Sequence, residues 1–248
     1  CTWDYNSPYS NLSACCNQWS VGGKYTLEDK VLFARMSKVL HMRIGDAFVF
    51  FDDKQNASCV LQAFNDKNII VFNIADVTEN VSVLPSIHLF VGLLKRSSFE
   101  QVIYYAAQLG ARSIQPILTE RVHKHWWSDR EVQRLRSVMV GAREQSKSFC
   151  EPELKKPCAL QDLLFSISRY DLVFETHEPR SLVDGLNGFG TKKSSEIGLF
   201  FGPEGGFADN EITFLKKQNM CCCKLTSTIL RTQEAVLVGA GFVLSVLS

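Results

Sequence analysis

Several familiar signatures are missing from this chain, and each absence excludes a class of protein. No run of 18 apolar residues occurs; the longest, Ala235 to Leu247, has the length of a core helix and falls short of a membrane span. There is no C-x-x-C pair and no histidine cluster at zinc-finger spacing, so no metal site is expected. Neither G-x-G-x-x-G nor G-x-x-x-x-G-K-[ST] is present, which argues against a dinucleotide fingerprint or a phosphate-binding P-loop. A strong overall charge is missing too: the net charge is +1, so composition carries no global signature of a polyanion partner.

What the chain does contain is ordinary for a globular protein. It has 248 residues, 46% hydrophobic and 21% charged, enough for one large or two modest cores. Its nine cysteines are an odd number in a chain large enough to need no disulfide staples. They read as thiols of a reduced, cytoplasmic protein. Cys221-Cys222-Cys223 suits a strand, where neighbouring side chains point to opposite faces and cannot converge on a metal. Basic charge is concentrated locally: between Lys95 and Lys147 ten basic residues face five acids, which suits contact with a polyanion.

Two patterns divide the chain. In the first part, Leu27 to Leu40 has apolar spacing near 3.6 and predicts one short helix. Ala47–Phe51, Ser58–Phe64 and Ile69–Ile74 read as strands separated by the polar turns Asp52-Asp53-Lys54 and Asn65-Asp66-Lys67-Asn68. That arrangement predicts a small antiparallel barrel over residues 1–82, with Asp76 to Pro85 as strand and linker. In residues 83–248 strands and helices alternate. Strands are expected at Ile87–Leu94, Ser113–Leu118, Tyr170–Phe174, 197–201 and Cys222–Leu225. Helices are expected at Phe99–Leu109 with Gly110 at its C′ position, from a Ser128 cap through Ser146, at Leu160–Ile167, after an Asp209 cap, and at Ala235–Leu247. Such alternation predicts an α/β domain with a mostly parallel sheet.

The most informative stretch is Gly202-Pro203-Glu204-Gly205-Gly206, between the 197–201 strand and the helix after Asp209. Ligands of α/β sheets bind at such strand-to-helix junctions, and glycine lets a ligand approach the backbone. A second glycine stretch, Gly185 to Gly190, has no strand directly before it and reads as a surface loop. Two further segments end at the same kind of junction. Gln115-Pro116-Ile117-Leu118-Thr119-Glu120-Arg121 places Glu120 and Arg121 just past a strand. Leu225-Thr226-Ser227-Thr228-Ile229-Leu230-Arg231-Thr232 places Arg231 before the last helix. Arginine keeps its charge and offers a planar fork of donors to phosphate or carboxylate. A surface ion pair between Arg231 and an acid at the helix start is the plainer alternative.

Taken together, GPEGG, the Leu225-to-Thr232 run, Gln108-Leu109-Gly110 with Pro116 to Arg121, and Glu144-Gln145-Ser146 resemble the ribosomal RNA small subunit methyltransferase E family. That family belongs to the SPOUT class of trefoil-knot methyltransferases. The likeness covers roughly residues 88–248; Val39-Leu40, Gly45-Asp46 and Asp52 are similar to the family's PUA-like barrel. Two departures stand out. Thr226 occupies a position where the family usually has glycine. The acid of the last helix is Glu234, one position later than usual, a rotation of about 100° at a helix start.

The resemblance implies a fold, a cofactor and a reaction. The fold would be a PUA-like RNA-binding barrel (1–82) followed by a SPOUT α/β-knot domain (83–248). The cofactor would be S-adenosylmethionine, bent into the knot and held largely by backbone groups of Gly202, Pro203, Glu204, Gly205, Gly206, Leu225, Thr226, Ile229, Leu230 and Arg231. The reaction would be methylation of N3 of a uridine in small-subunit (16S) ribosomal RNA by a cytoplasmic homodimer. Arg231 and Arg121 would hold phosphate or the developing anionic base, and Glu204 would orient the loop or accept a proton. A ribose 2′-O-methyltransferase of the same class and a non-catalytic RNA-binding assembly factor are the alternatives.

Overall fold

A computed structural model describes residues 2–3, 19–52, 54–65, 68–122, 126–163, 169–187 and 195–247. The chain divides into two compact units. The first comprises Cys1–Val81 and Arg143–Cys150, and the second Ser82–Ala142 and Glu151–Ser248. Among the described residues no helix is long and apolar enough to cross a membrane.

The first unit is built on a sheet whose strands are β1 (Thr2–Trp3), β2 (Lys24–Glu28), β3 (Ala47–Phe51), β4 (Gln55–Asn65) and β5 (Ile69–Glu79), in the order β1-β3-β4-β5-β2. Its neighbours are antiparallel except β1 and β3, which run parallel. Phe48, Phe50 and Phe72 pack edge to face in the core, with Leu32 and Met36 buried beside them. The helix expected over Leu27–Leu40 forms only over Lys30–Val39. Leu27 and Glu28 belong to β2, which alternates half-buried and exposed residues against β5. The Asp29 carboxylate accepts the amides of Val31 and Leu32 at 2.9 Å each, so helix α1 (Lys30–Ala34) begins only there. It passes into a π-helical turn, Arg35–Val39. The completely buried Arg143 belongs to this unit; its guanidinium donates to the Phe149 and Asp52 carbonyls and lies 4.9 Å from the Phe51 ring centre.

The second unit is the expected parallel sheet with helices. Its strands are β6 (Ser86–Gly92), β7 (Ser113–Leu118), β8 (Glu153–Leu154), β9 (Cys158–Ala159), β10 (Tyr170–Phe174), β11 (Glu196–Phe201) and β12 (Cys221–Cys223). The order is β12-β10-β11-β6-β7-β8, with β9 also on β7, and every pair is parallel. Alternation along the strands makes two cores. Leu89, Val91, Leu172, Leu199 and Phe201 face one side with Phe99 and Val236. Phe90, Phe200, Val173 and Ile117 face the other with Phe207, Leu215 and Leu160. The Phe90 and Phe200 rings stack at 4.2 Å.

The helices after β6 are α2 (Arg96–Gln108), α3 (Asp129–Ser146, whose residues from Arg143 on belong to the first unit), α4 (Leu182–Asn187), α5 (Asp209–Lys217) and α6 (Thr232–Leu247). Helix α2 buries Phe99, Val102, Ile103, Ala106 and Ala107 at helical spacing and packs on α6; Gly110 follows it at φ +69°. Several expected bounds are corrected. The cap of α5 is Ala208, not Asp209, because the Glu211 side chain reaches back to the Ala208 amide. Of the helix expected over Leu160–Ile167, Leu160–Asp162 forms a 3-10 turn and Leu163 is extended; residues 164–168 lie outside the described residues. The start of the second glycine stretch is no loop: Gly185 is buried in α4, where an added Cβ would sit 3.3 Å from Leu172. The rest of that stretch lies outside the described residues. Strand β12 ends at Cys223, short of Leu225, and α6 starts at Thr232, ahead of Ala235.

Candidate functional site

The C-terminal ends of β6, β7, β10, β11 and β12 point the same way because the strands are parallel, so the loops leaving them meet at one edge of the sheet. A cavity of about 910 Å³ opens there, in the usual size range of a small-molecule site. The residues expected to hold cofactor or substrate lie around it: Arg121, Gly202, Pro203, Glu204, Gly205, Gly206, Leu225, Thr226, Ile229, Leu230 and Arg231; Glu120, placed beside Arg121 in the sequence, is not among its lining residues.

The glycine loop is shaped by close packing. Gly92, the last residue of β6, lies so near the loop that an added Cβ would meet the Pro203 nitrogen at 2.4 Å. The Gly206 amide donates to the Pro203 carbonyl at 2.8 Å, and Gly206 has φ +69°, a conformation suited to glycine. From the neighbouring loop, Arg121 Nη1 donates to the Gly205 carbonyl at 2.7 Å. Glu204 is exposed and its Oε1 accepts the Lys95 amide at 3.0 Å, so it caps α2 from outside the helix.

The 225–231 loop lines the same cavity. Leu225 packs against the core, whereas Ile229 is 78% exposed. Thr226 uses its hydroxyl within the loop, donating to the Thr228 carbonyl at 2.5 Å. Arg231 is exposed and makes no ion pair with an acid among the described residues. The anticipated pairing with the acid at the helix start is not made; Glu234 Oε1 instead accepts from Gln233 Nε2 at 3.3 Å. Beneath this loop, burial pushes the thiols of Cys222 and Cys223 up to about 11 and about 12. They are core side chains, and no group of metal-binding residues occurs among the described residues.

Several lining residues were not anticipated. Glu175, Thr176 and His177 follow β10, and Lys95 and Ser98 follow β6. The rule that drew attention to Arg121 applies to them equally, because each follows a strand legible in the sequence. Thr232 closes the Leu225-to-Thr232 run read from the sequence, where it has no role of its own. It is buried at the start of α6, and its hydroxyl donates to the Gly202 carbonyl at 3.0 Å, joining the two loops.

A parallel α/β unit whose strand-end loops share one glycine-walled cavity has the architecture of a small-molecule-binding domain. The chain belongs to the RNA methyltransferase domain family, whose profile matches residues 82–244. Among curated relatives it is 27% identical over 204 residues to ribosomal RNA small subunit methyltransferase E of Rickettsia conorii, covering 80% of each chain. To the Bacillus subtilis protein of the same name it is 27% identical over 210 residues, 80% of this chain and 81% of the relative. Among solved structures, ribosomal RNA small subunit methyltransferase E of Neisseria gonorrhoeae bound to S-adenosyl methionine superposes with a TM-score of 0.79 at 20% identity, covering 93% of this chain and 94% of that one. A Legionella pneumophila methyltransferase in complex with the same cofactor gives 0.75 at 23% identity, with 92% and 94% covered. At these identities the two structures establish a shared fold.

Proposed function

We propose that this chain transfers a methyl group from S-adenosylmethionine to N3 of a uridine in small-subunit (16S) ribosomal RNA. The observation that carries the reading is the convergence of Gly202–Gly206, Leu225–Arg231 and Arg121 on one cavity at the C-terminal edge of the sheet. The residues present fit the cofactor. The cavity is large enough, and the glycine loop and the Leu225–Arg231 loop both line it, Gly205 and Gly206 presenting backbone there without side chains. Gly202, Pro203, Gly205, Gly206, Leu225, Thr226, Ile229 and Leu230 would hold it. When bound, it supplies a sulfonium-activated methyl group.

The chain's own residues then have three tasks. They must exclude water, align the nucleophile, and hold the uracil while N3 gives up its proton. N3 lies on the pairing edge, so the base must be unpaired or turned out of a stack. Arg231, charged and without an acidic partner among the described residues, suits a phosphate or the anionic base. Of the two roles considered for Glu204, the hydrogen bond to the Lys95 amide favours orienting the loop. Arg121 contributes by holding Gly205 and retains donors for the substrate side.

The wider reading extends to the whole chain. Residues 1–82 serve as a PUA-like RNA-binding barrel and 83–248 as a SPOUT trefoil-knot domain in a cytoplasmic homodimer. Val238, Phe242 and Val246, 42%, 39% and 53% exposed, make an apolar stripe along α6 that suits a subunit interface. The deciding experiment is methylation of small subunits purified from cells lacking the protein, followed by nucleoside mass spectrometry. 3-Methyluridine is expected. A 2′-O-methylated nucleoside would assign the chain to ribose modification. Failure to bind S-adenosylmethionine in a calorimetric titration would make it a non-catalytic RNA-binding factor.

A further inference from the structure

We infer that Glu211 is a positioning residue for this cavity: its carboxylate fixes the backbone at Glu120, which holds Arg121 on the Gly205 carbonyl and keeps the glycine loop in its binding shape. The inference rests on the cavity being the S-adenosylmethionine site.

Glu211 is 2% exposed, yet among the described residues it pairs with no cation. A buried carboxylate needs its charge met by hydrogen bonds. Two backbone amides meet it, one on each oxygen. Oε2 accepts from Ala208 at 2.8 Å, the reach-back half of a capping box, and the positive end of α5 adds to it. Oε1 turns outward to another part of the chain and accepts the Glu120 amide at 2.9 Å, 91 positions away. Capping alone does not require that second bond.

The loop after β7 is therefore tied to the start of α5 at two points, because Asn210 Nδ2 also donates to the Glu120 carboxylate. The next residue, Arg121, reaches the Gly205 carbonyl at 2.7 Å, and its aliphatic stem lies where a Cβ on Gly205 would meet it at 3.4 Å. Gly205 and Gly206 have no side chains to hold their loop from within. Arg121 steadies it from outside, and Glu211 sets the place from which Arg121 reaches.

The test is calorimetric titration of S-adenosylmethionine into the full-length wild type, Glu211→Gln, Arg121→Ala and the double variant, with melting curves on each. Glutamine presents an NH2 to one of the two amide donors, so Glu211→Gln should weaken binding roughly ten-fold. Because Glu211 acts through Arg121, the double variant should bind within about two-fold of Arg121→Ala alone. Binding by Glu211→Gln equal to wild type overturns the inference, as do losses that multiply in the double variant. If Glu211→Gln does not fold, Asn210→Ala removes the exposed tie on Glu120. It should weaken binding about three-fold in the wild-type background and not in Arg121→Ala; unchanged affinity overturns the inference. A wild type that binds no cofactor overturns the cofactor reading and this inference with it, whereas a binding wild type matched by Glu211→Gln overturns this inference alone.

Discussion

The Thr232 hydroxyl donates to the Gly202 carbonyl across 3.0 Å, and this bond links the two loops that form the cavity. Thr232 is buried, so removing its hydroxyl without changing its shape leaves the carbonyl short of a donor in a place water reaches poorly. Thr232→Val should cost about 1–2 kcal/mol and lower Tm by a few degrees. Cofactor affinity should fall with it, since Gly202 begins the glycine loop. Thr232→Ser keeps the donor and should restore most of both quantities in a melting curve and a titration.

Gly92 makes a sharper demand. An added methyl would lie 2.4 Å from the Pro203 nitrogen and 2.6 Å from its Cδ, and neither a backbone atom nor a proline ring can swing aside. Gly92→Ala should therefore destabilise by about 3 kcal/mol and displace the loop, abolishing cofactor binding. Gly141→Ala is the control. Nothing lies within 4 Å of its Cβ position, it sits inside α3, and alanine should be neutral or stabilise by roughly 0.5–1 kcal/mol. Denaturant unfolding of the two variants separates crowding from backbone entropy.

Much of this architecture was legible in the chain. Apolar strands such as Leu89–Val91 and Leu199–Phe201 announce burial on both faces, and with intervening helical periods they announce a parallel sheet. Ligand loops follow strand ends, which is why Arg121 and the glycine loop could be placed beside one cavity. The departures were cases where a tertiary partner outweighed a local pattern. Leu27 has helical spacing to Val31, yet pairing with Ile70 draws it into a sheet. Asp209 is a good capping residue by type, but the Glu211 carboxylate reaches Ala208 first. Thr232 and Glu211 act on groups far away in sequence, and no local pattern marks such a bond.

His88 gives the second unit a pH dependence. Burial holds its imidazole below the ordinary value of 6.5; Glu196 pulls it back up, and Arg169, Lys155 and Arg112 add to the lowering. The unfolded chain therefore takes up a proton at a pH where the folded protein does not. By linkage, stability is fully present above about 6.5 and declines as pH falls through that value toward the lower folded one. Denaturant midpoints from about pH 8 to about pH 5 should fall at the acid end, and His88→Gln should flatten that part of the curve. An identical slope in the variant would assign the effect to other groups.

Arg231 is the side chain on which the proposed chemistry depends most directly. It stands exposed at the cavity, before α6, and the helix-start acid that could have neutralised it bonds Gln233 instead. Arg231→Ala should leave the melting curve near wild type, because no described ion pair is lost, and should cut methyl transfer roughly a hundred-fold. How the loss divides between kcat and KM tells which anion it meets. A guanidinium on an RNA phosphate binds ground and transition states alike, so its removal raises KM for RNA and shallows the salt dependence of binding. A guanidinium on the uracil anion acts only as N3 loses its proton, so its removal lowers kcat with KM unchanged. Arg231→Lys keeps the charge without the planar fork and should recover more of a phosphate contact than of a bidentate grip on the base. Turnover close to wild type in Arg231→Ala would remove this residue from the mechanism.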